Sequence, residues 1–97
     1  MRLEESRRII DEIDSEIVAL LNRRASVCRR IGELKTRAGL PVLDRDREEV
    51  VLRKVVRDNA GEVEAGSLIR IYREVLKESR RIQTSIKLSP LVKEVTK

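Results

Sequence analysis

The sequence predicts an all-α fold with three helices per chain, a long first helix and two shorter ones. Leu, Ile and Val supply 31 of the 97 residues, whereas Tyr72 is the one aromatic residue, a balance that favours helices over strands. Charged residues make up 40% of the chain, as is typical of helices with one apolar face. Apolar residues also recur at helical spacing in two long stretches. These observations predict one helical domain over 1–97.

The first helix is predicted over 1–38, with its start near Leu3 and its end at Gly39. Such a helix is roughly 50 Å long, more than the rest of so short a chain can cover. We therefore predict that a second copy covers the remainder, which gives an intertwined helical homodimer. One row of residues, which we call the seam, alternates at spacings of three and four and contains a single arginine: Ile10, Ile13, Ile17, Leu20, Arg24, Val27, Ile31 and Leu34.

A connection over 39–44 follows, because Gly39 and Pro41 interrupt helices. The second helix is predicted over 45–58, with Asp44 or Asp46 as its N-cap. If Asp46 is the cap, Glu49 can close a capping box with it. Four of its apolar residues are predicted to point inward: Val51, Leu52, Val55 and Val56.

The third helix is predicted over 67–86, and it repeats the spacing of the first. Its inward row is interrupted by a serine and consists of Leu68, Tyr72, Val75, Ser79, Ile82 and Ile86. Gln83 lies one turn beyond Ser79. The tail over 87–97 is predicted to be a short helix or frayed, with Ser89 and Pro90 resembling a helix start.

Composition excludes several kinds of chemistry. The chain has no histidine, so the sequence predicts neither an ordinary zinc site nor a histidine-dependent triad. The lone Cys28 rules out an internal disulfide and is expected to pack as a small hydrophobic residue.

No apolar run approaches the ~18 residues of a membrane span and no signal peptide is apparent, which predicts a cytoplasmic protein. A net charge of +5 suits anionic ligands in general.

Polar residues on the apolar faces are the candidates for function. Arg24 and Lys35 are eleven residues apart, which puts them within about 20° of the same helix face. Their Cα atoms would be roughly 16 Å apart, so the two long side chains could converge on one small anion. Pairing with acidic residues of neighbouring helices is the alternative for either cation. Ser79 and Gln83 interrupt the apolar face of the third helix and need polar partners or a ligand. Arg7 lies about 26 Å from Arg24 along the helix axis, so it can reach the same ligand only on a partner chain. The alternative for Arg7 alone is a solvated arginine.

The start of the second helix adds two further candidates. Arg47 shares a helix stripe with Val51, and Glu48 shares one with Leu52, so both polar side chains lie near the packed face. Helix-start electrostatics explains them equally well from spacing alone.

Together these residues resemble the all-helical class of chorismate mutases, over nearly the whole chain. The resemblance is most specific in Arg7 with Ile10, Asp14 and Leu20-Leu21; in Arg24 and Ile31-Gly32 leading to Lys35; in Pro41-Val42 followed by Asp44, Arg47 and Glu48; and in Ser79 with Gln83. It implies two chains intertwined around their first helices, with two equivalent sites and no cofactor or metal. Each site would take Arg24, Lys35, Asp44, Arg47, Glu48, Ser79 and Gln83 from one chain and Arg7 from the other.

The reaction implied by this resemblance is the pericyclic rearrangement of chorismate to prephenate in phenylalanine and tyrosine biosynthesis. Residue roles follow from the same resemblance. Arg7 and Arg24 would clamp the two substrate carboxylates, with help from Arg47 and Ser79. Lys35 and Gln83 would donate to the ether oxygen. Glu48, with backbone near Asp44, would hold the ring hydroxyl.

Three alternatives remain open. Isochorismate pyruvate lyase resembles these mutases and also binds a dicarboxylate with a lysine and arginines, although the residues from Pro41 to Glu48 and the position of Gln83 favour the mutase. A chain of this kind can also be a weakly active partner of the enzyme that begins the shikimate pathway. The third is a basic helical dimer that binds nucleic acid, which the lack of stacking aromatic residues disfavours. We therefore predict no nucleic-acid and no membrane partner.

Overall fold

A computed structural model describes residues 2–87, which form three helices in the order α1 (Leu3–Ala38), α2 (Arg45–Asp58) and α3 (Ala65–Lys87). No strand occurs in this part of the chain, so the predicted all-α fold is confirmed. α1 spans 36 residues, as the sequence predicts. The tail predicted over 87–97 lies outside the described residues, apart from Lys87, which ends α3.

The end of α1 is set by Gly39, as predicted. Gly39 has a φ of 69°, the left-handed conformation that glycine adopts without steric cost. Its N–H donates to the carbonyl of Thr36 at 3.3 Å, and the N–H of Leu40 donates to the carbonyl of Lys35 at 2.8 Å. These bonds satisfy carbonyls that the last turn leaves free, and they turn the chain towards the site.

The starts of the two shorter helices differ in part from the predictions. Asp44 is the N-cap of α2, because its carboxylate accepts from the backbone N–H of Arg47 at 3.0 Å. The alternative cap, Asp46 with Glu49 in a capping box, is wrong, since Asp46 lies within the first turn of α2. α3 begins at Ala65, two residues before the predicted start, because the N–H of Leu68 donates to the carbonyl of Glu64 at 2.9 Å and closes an earlier turn.

α3 packs against both α1 and α2 and carries most of the core. Leu76 and Ile86 of α3 and Cys28 of α1 are the buried apolar residues of the described chain, and Ser79 and Gln83 are buried beside them. The predicted inward row of α3 is buried or half-buried at every position, and the four inward residues of α2 are half-buried.

The apolar part of the seam of α1 is largely uncovered within its own chain. Its seven apolar residues remain between 39% and 61% exposed. α1 contacts α3 through Arg24, the one polar member of the seam, and through a neighbouring stripe of Cys28, Gly32 and Lys35, in which Cys28 and Gly32 are buried. One chain thus leaves the apolar residues of the seam exposed, and their burial by a second copy stays a prediction.

Gly32 permits α1 and α3 to approach closely at the level of the site. A Cβ at this position would lie 2.9 Å from Ile86 Cδ1, the flexible end of a side chain, and 3.0 Å from Gln83 Cα, a backbone atom. A larger residue at this position would therefore require the backbone of α3 to move by a few tenths of an ångström.

The chain is elongated, with principal extents of 60 × 27 × 15 Å. Its radius of gyration is 17.1 Å, against about 13 Å for a compact domain of this length. Of the helices described, none is long and apolar enough to cross a membrane.

Candidate active site

A cavity of about 310 Å³ lies between the three helices and collects most of the predicted site residues. Seven of the eight line it: Arg24, Lys35, Asp44, Arg47, Glu48, Ser79 and Gln83. Arg7 is absent from its lining and is exposed in the first quarter of α1. Within one chain, the geometry therefore agrees with the expectation that Arg7 cannot reach the other seven.

One end of the cavity is formed by Arg24, which α3 holds in place. Its Nη1 donates to Ser79 Oγ and, at 3.6 Å, to Cys28 Sγ. Ser79 Oγ in turn donates to the carbonyl of Val75 at 2.9 Å, and the guanidinium carbon lies 5.9 Å from the centre of the Tyr72 ring. Because one guanidinium nitrogen makes both side-chain bonds, the remaining N–H groups are left to bind an anion.

Lys35 and Gln83 form the other end. Lys35 Nζ donates to Gln83 Oε1 at 2.9 Å and to the carbonyl of Val42 at 2.8 Å. Since the Gln83 oxygen accepts from Lys35, its NH₂ is the part of the amide that can donate to a ligand. The third N–H of the lysine is also left to donate. Gln83 is only 7% exposed, so its orientation is fixed by this contact and by packing.

The first turn of α2 supplies the remaining predicted residues. The Asp44 carboxylate caps α2, while Arg47 is exposed at the rim of the cavity. Glu48 is half-buried, and both of its oxygens accept from Arg80 Nη1, at 2.6 and 2.5 Å.

Arg80 lines the cavity but was not predicted from the sequence. It directly follows Ser79 and lies three residues before Gln83, so proximity to both on one helix was the available signal. With Arg80 included, four cationic side chains and two carboxylates line the cavity, a formal net charge of +2. Such a charge suits a ligand with two carboxylates. Among residues 2–87, no cluster of three or more His, Cys, Asp or Glu side chains could hold a metal ion.

A larger groove of about 440 Å³ runs along α1 and α3 on another side of Arg24 and Ser79. Apolar side chains dominate its lining: Leu21, Ala25, Ile71, Val75 and Ile82. Glu78 is the acidic neighbour of Ser79 there, and a hydrogen bond from Arg81 lowers the pKa of the Glu78 carboxyl below its ordinary value. Despite its volume, this groove lacks the convergent cations that a dicarboxylate needs, so the smaller cavity is the candidate site.

Comparisons with known proteins identify the family of the chain. Residues 6–84 match the family described as chorismate mutase type II. The chain is 39% identical, over 97% of its length, to the bifunctional chorismate mutase/prephenate dehydratase of Aquifex aeolicus, of which it spans 27%.

Solved structures of similar proteins share the fold. A chorismate mutase of Thermus thermophilus (form II) superposes with a TM-score of 0.84 at 30% identity, over 87% of this chain and 96% of that one. The Helicobacter pylori chorismate mutase in complex with prephenate gives a TM-score of 0.82 at 28% identity, over 90% of this chain and 94% of that one. By sequence and by structure, the chain belongs to the chorismate mutase type II family.

Proposed function

We propose that residues 1–97 form one catalytic domain that converts chorismate to prephenate, a step in the biosynthesis of phenylalanine and tyrosine. The observation that carries the proposal is the single cavity in which seven polar residues of the family pattern meet, and which has a formal net charge of +2 once Arg80 is counted. The Helicobacter pylori relative with prephenate bound supports the same ligand class.

The rearrangement breaks a C–O bond and forms a C–C bond within one molecule, so it requires no nucleophile. The protein contributes by holding a flexible dicarboxylate in its compact reactive conformation. Arg24 is suited to clamp one carboxylate, because Ser79 and Cys28 fix its guanidinium while leaving other N–H groups free. Arg47, at the rim of the cavity, is suited to assist.

Negative charge develops on the ether oxygen as the C–O bond breaks. Lys35 and the Gln83 amide are oriented by their mutual 2.9 Å hydrogen bond before substrate arrives, so two donors can meet that oxygen without reorganisation. We assign these two residues to transition-state stabilisation. Glu48, in the first turn of α2, is assigned to accept from the ring hydroxyl, with the backbone near Asp44.

The second carboxylate requires a further cation, and we propose that Arg7 of a second copy supplies it in an intertwined homodimer. Three properties of the chain support this arrangement. The seam is exposed along α1, the radius of gyration exceeds that of a compact domain, and Arg7 is remote from the cavity of its own chain.

The direct test is to mix purified protein with chorismate and to follow the loss of its absorbance together with the formation of prephenate. We expect acceleration over buffer, and Arg24→Ala and Gln83→Ala should each lower kcat by roughly a hundredfold or more, the scale of removing one preorganised donor. No acceleration would refute the proposal. Release of pyruvate from isochorismate, without turnover of chorismate, would instead identify the lyase of the same fold.

A further inference from the structure

The contact between Arg80 and Glu48 differs from every other ion pair in the described residues. It joins α3 to α2, across 32 positions of sequence, whereas the others link residues one to four positions apart on one helix. It is also the least exposed, with side-chain exposures of 35% for Arg80 and 24% for Glu48. Both side chains line the candidate site.

The position of α2 makes this contact important for the site. α2 has no buried residue, and it packs on α3 through half-buried apolar side chains. The carboxylate of Glu48 is held at this interface by Arg80, because Nη1 of Arg80 donates to both carboxylate oxygens. These two hydrogen bonds restrict the rotation of the Glu48 side chain.

This geometry leaves the carboxylate able to act on a ligand. A carboxylate has about four acceptor positions, and Arg80 uses one on each oxygen, so each oxygen can still accept from a hydroxyl. The charge of Arg80 also offsets that of Glu48, so the carboxylate does not add unpaired negative charge to a site for an anion.

We propose that Arg80 is a positioning residue that holds Glu48 as the acceptor for the ring hydroxyl of the substrate. The inference rests on the proposed function and adds a residue to it. Arg80 acts through Glu48 and does not contact a carboxylate of the substrate. The substrate carboxylates are assigned to Arg24, Arg47 and the Arg7 of the second copy.

The test compares kcat/KM for chorismate among variants of Arg80 and Glu48. Arg80→Met should lower kcat/KM at least about tenfold, the scale of misplacing a group that contacts substrate. Arg80→Lys should recover most of this loss, because one nitrogen makes both contacts and an ammonium also offers one. Arg80→Gln, which is polar but uncharged, should behave like Arg80→Met and serves as the second variant if the methionine variant does not fold.

The decisive readout is the double variant. If Arg80 acts only through Glu48, adding Arg80→Met to Glu48→Gln should lower kcat/KM by no more than about twofold further, because the two losses share one cause. The matched control is Arg53→Met, which also removes one positive charge. It breaks the pair between Arg53 and Glu49, the residue after Glu48, and both side chains of that pair are exposed. It should retain the wild-type kcat/KM.

Three results would overturn the inference. If folded Arg80→Met kept the full kcat/KM and only its Tm were lower, the Arg80–Glu48 pair would only stabilise the packing of α2 on α3. Losses that add in the double variant would mean that Arg80 contacts substrate directly. If both the wild type and Arg53→Met were inactive, the proposed function itself would be refuted, and the inference with it. If the wild type is active, the Arg80 variants test the role of Arg80 alone.

Discussion

At the scale of the residue, the pair of Lys35 and Gln83 determines which hydrogen bonds the candidate site can donate to a ligand. Both side chains are donors in their ordinary states, and their mutual contact at 2.9 Å leaves one amide NH₂ and one ammonium N–H for a ligand. An amide does not titrate. A site that depends on it therefore keeps its donor throughout the neutral range.

We predict that the wild-type rate changes little between about pH 6 and 8, whereas Gln83→Glu makes the rate depend on pH. The carboxyl group introduced can donate only when protonated, and an ordinary glutamate has a pKa near 4.3. Activity of the variant should therefore rise as the pH falls from 8 towards 5. The measurement is kcat against pH for both proteins, and a variant whose profile is as flat as that of the wild type would contradict the donor role of Gln83.

At the scale of the element, the spacing of α1 and α3 depends on Gly32. We predict that Gly32→Ala lowers the free energy of unfolding by about 1–2 kcal/mol, because overpacking against Gln83 Cα and Ile86 outweighs the gain in helix propensity. Activity should fall as well, since the same displacement separates Lys35 from Gln83. Urea unfolding and kcat measure the two effects.

The matched control is Gly66→Ala, also within a helix. There a Cβ would meet nothing nearer than the flexible Arg70 Nη1, at 3.8 Å. This control should be as stable as the wild type or slightly more stable. If Gly32→Ala matched it in stability and activity, the close approach would not matter to the site.

The start of α2 provides a second prediction at this scale. Asp44→Ala should cost about 1 kcal/mol of stability, because the N–H of Arg47 loses its capping oxygen. Asp44→Asn should keep most of the stability, since asparagine caps helices about as well as aspartate. Asp46→Ala should cost less, as its side chain is not the cap. Chemical denaturation of the three variants checks the order, and an equal loss at both aspartates would refute the assignment of the cap.

At the scale of the whole molecule, a chain of 60 × 27 × 15 Å with an exposed apolar seam is expected to pair. Ile17→Asp, in the middle of α1, should abolish the dimer, because it would bury an unpaired carboxylate between seams. Light scattering should report a dimer of 11.2 kDa chains for the wild type and a monomer or unfolded chain for the variant. Val50→Asp, at a position of similar exposure on α2, is the control and should remain dimeric. A monomeric wild type would exclude the dimer.

The proposal that each site takes Arg7 from the second copy makes a further prediction at this scale. Arg7→Ala and Gln83→Ala should each be nearly inactive alone, whereas an equal mixture should regain roughly a quarter of wild-type activity after subunit exchange. Half of the dimers would then be mixed, and one of the two sites in each would be intact. No recovery after confirmed exchange would show that Arg7 does not serve the partner's site.

Much of the fold and the site was predictable from the sequence, because the relevant signals are local. Helix spacing, Gly39 and the polar interruptions at Arg24, Ser79 and Gln83 follow from positions along one helix. Arg80 was missed because its partner Glu48 lies on another helix, and no local pattern relates the two. The cap of α2 was ambiguous because Asp44 and Asp46 are chemically equivalent until the backbone directions are known.

The sequence by itself determined the helical class, the length of α1 and the residue types proposed to bind a small dianion, since these depend on spacing and side-chain chemistry. Only the tertiary structure decided which face of α1 meets α3 and how the charges pair. Within one chain, α3 packs on the stripe of α1 that contains Cys28, Gly32 and Lys35. Gly32 permits the close approach, and Lys35 donates to Gln83 and to the carbonyl of Val42. The apolar seam is thereby left exposed, since one small chain cannot cover two faces of so long a helix.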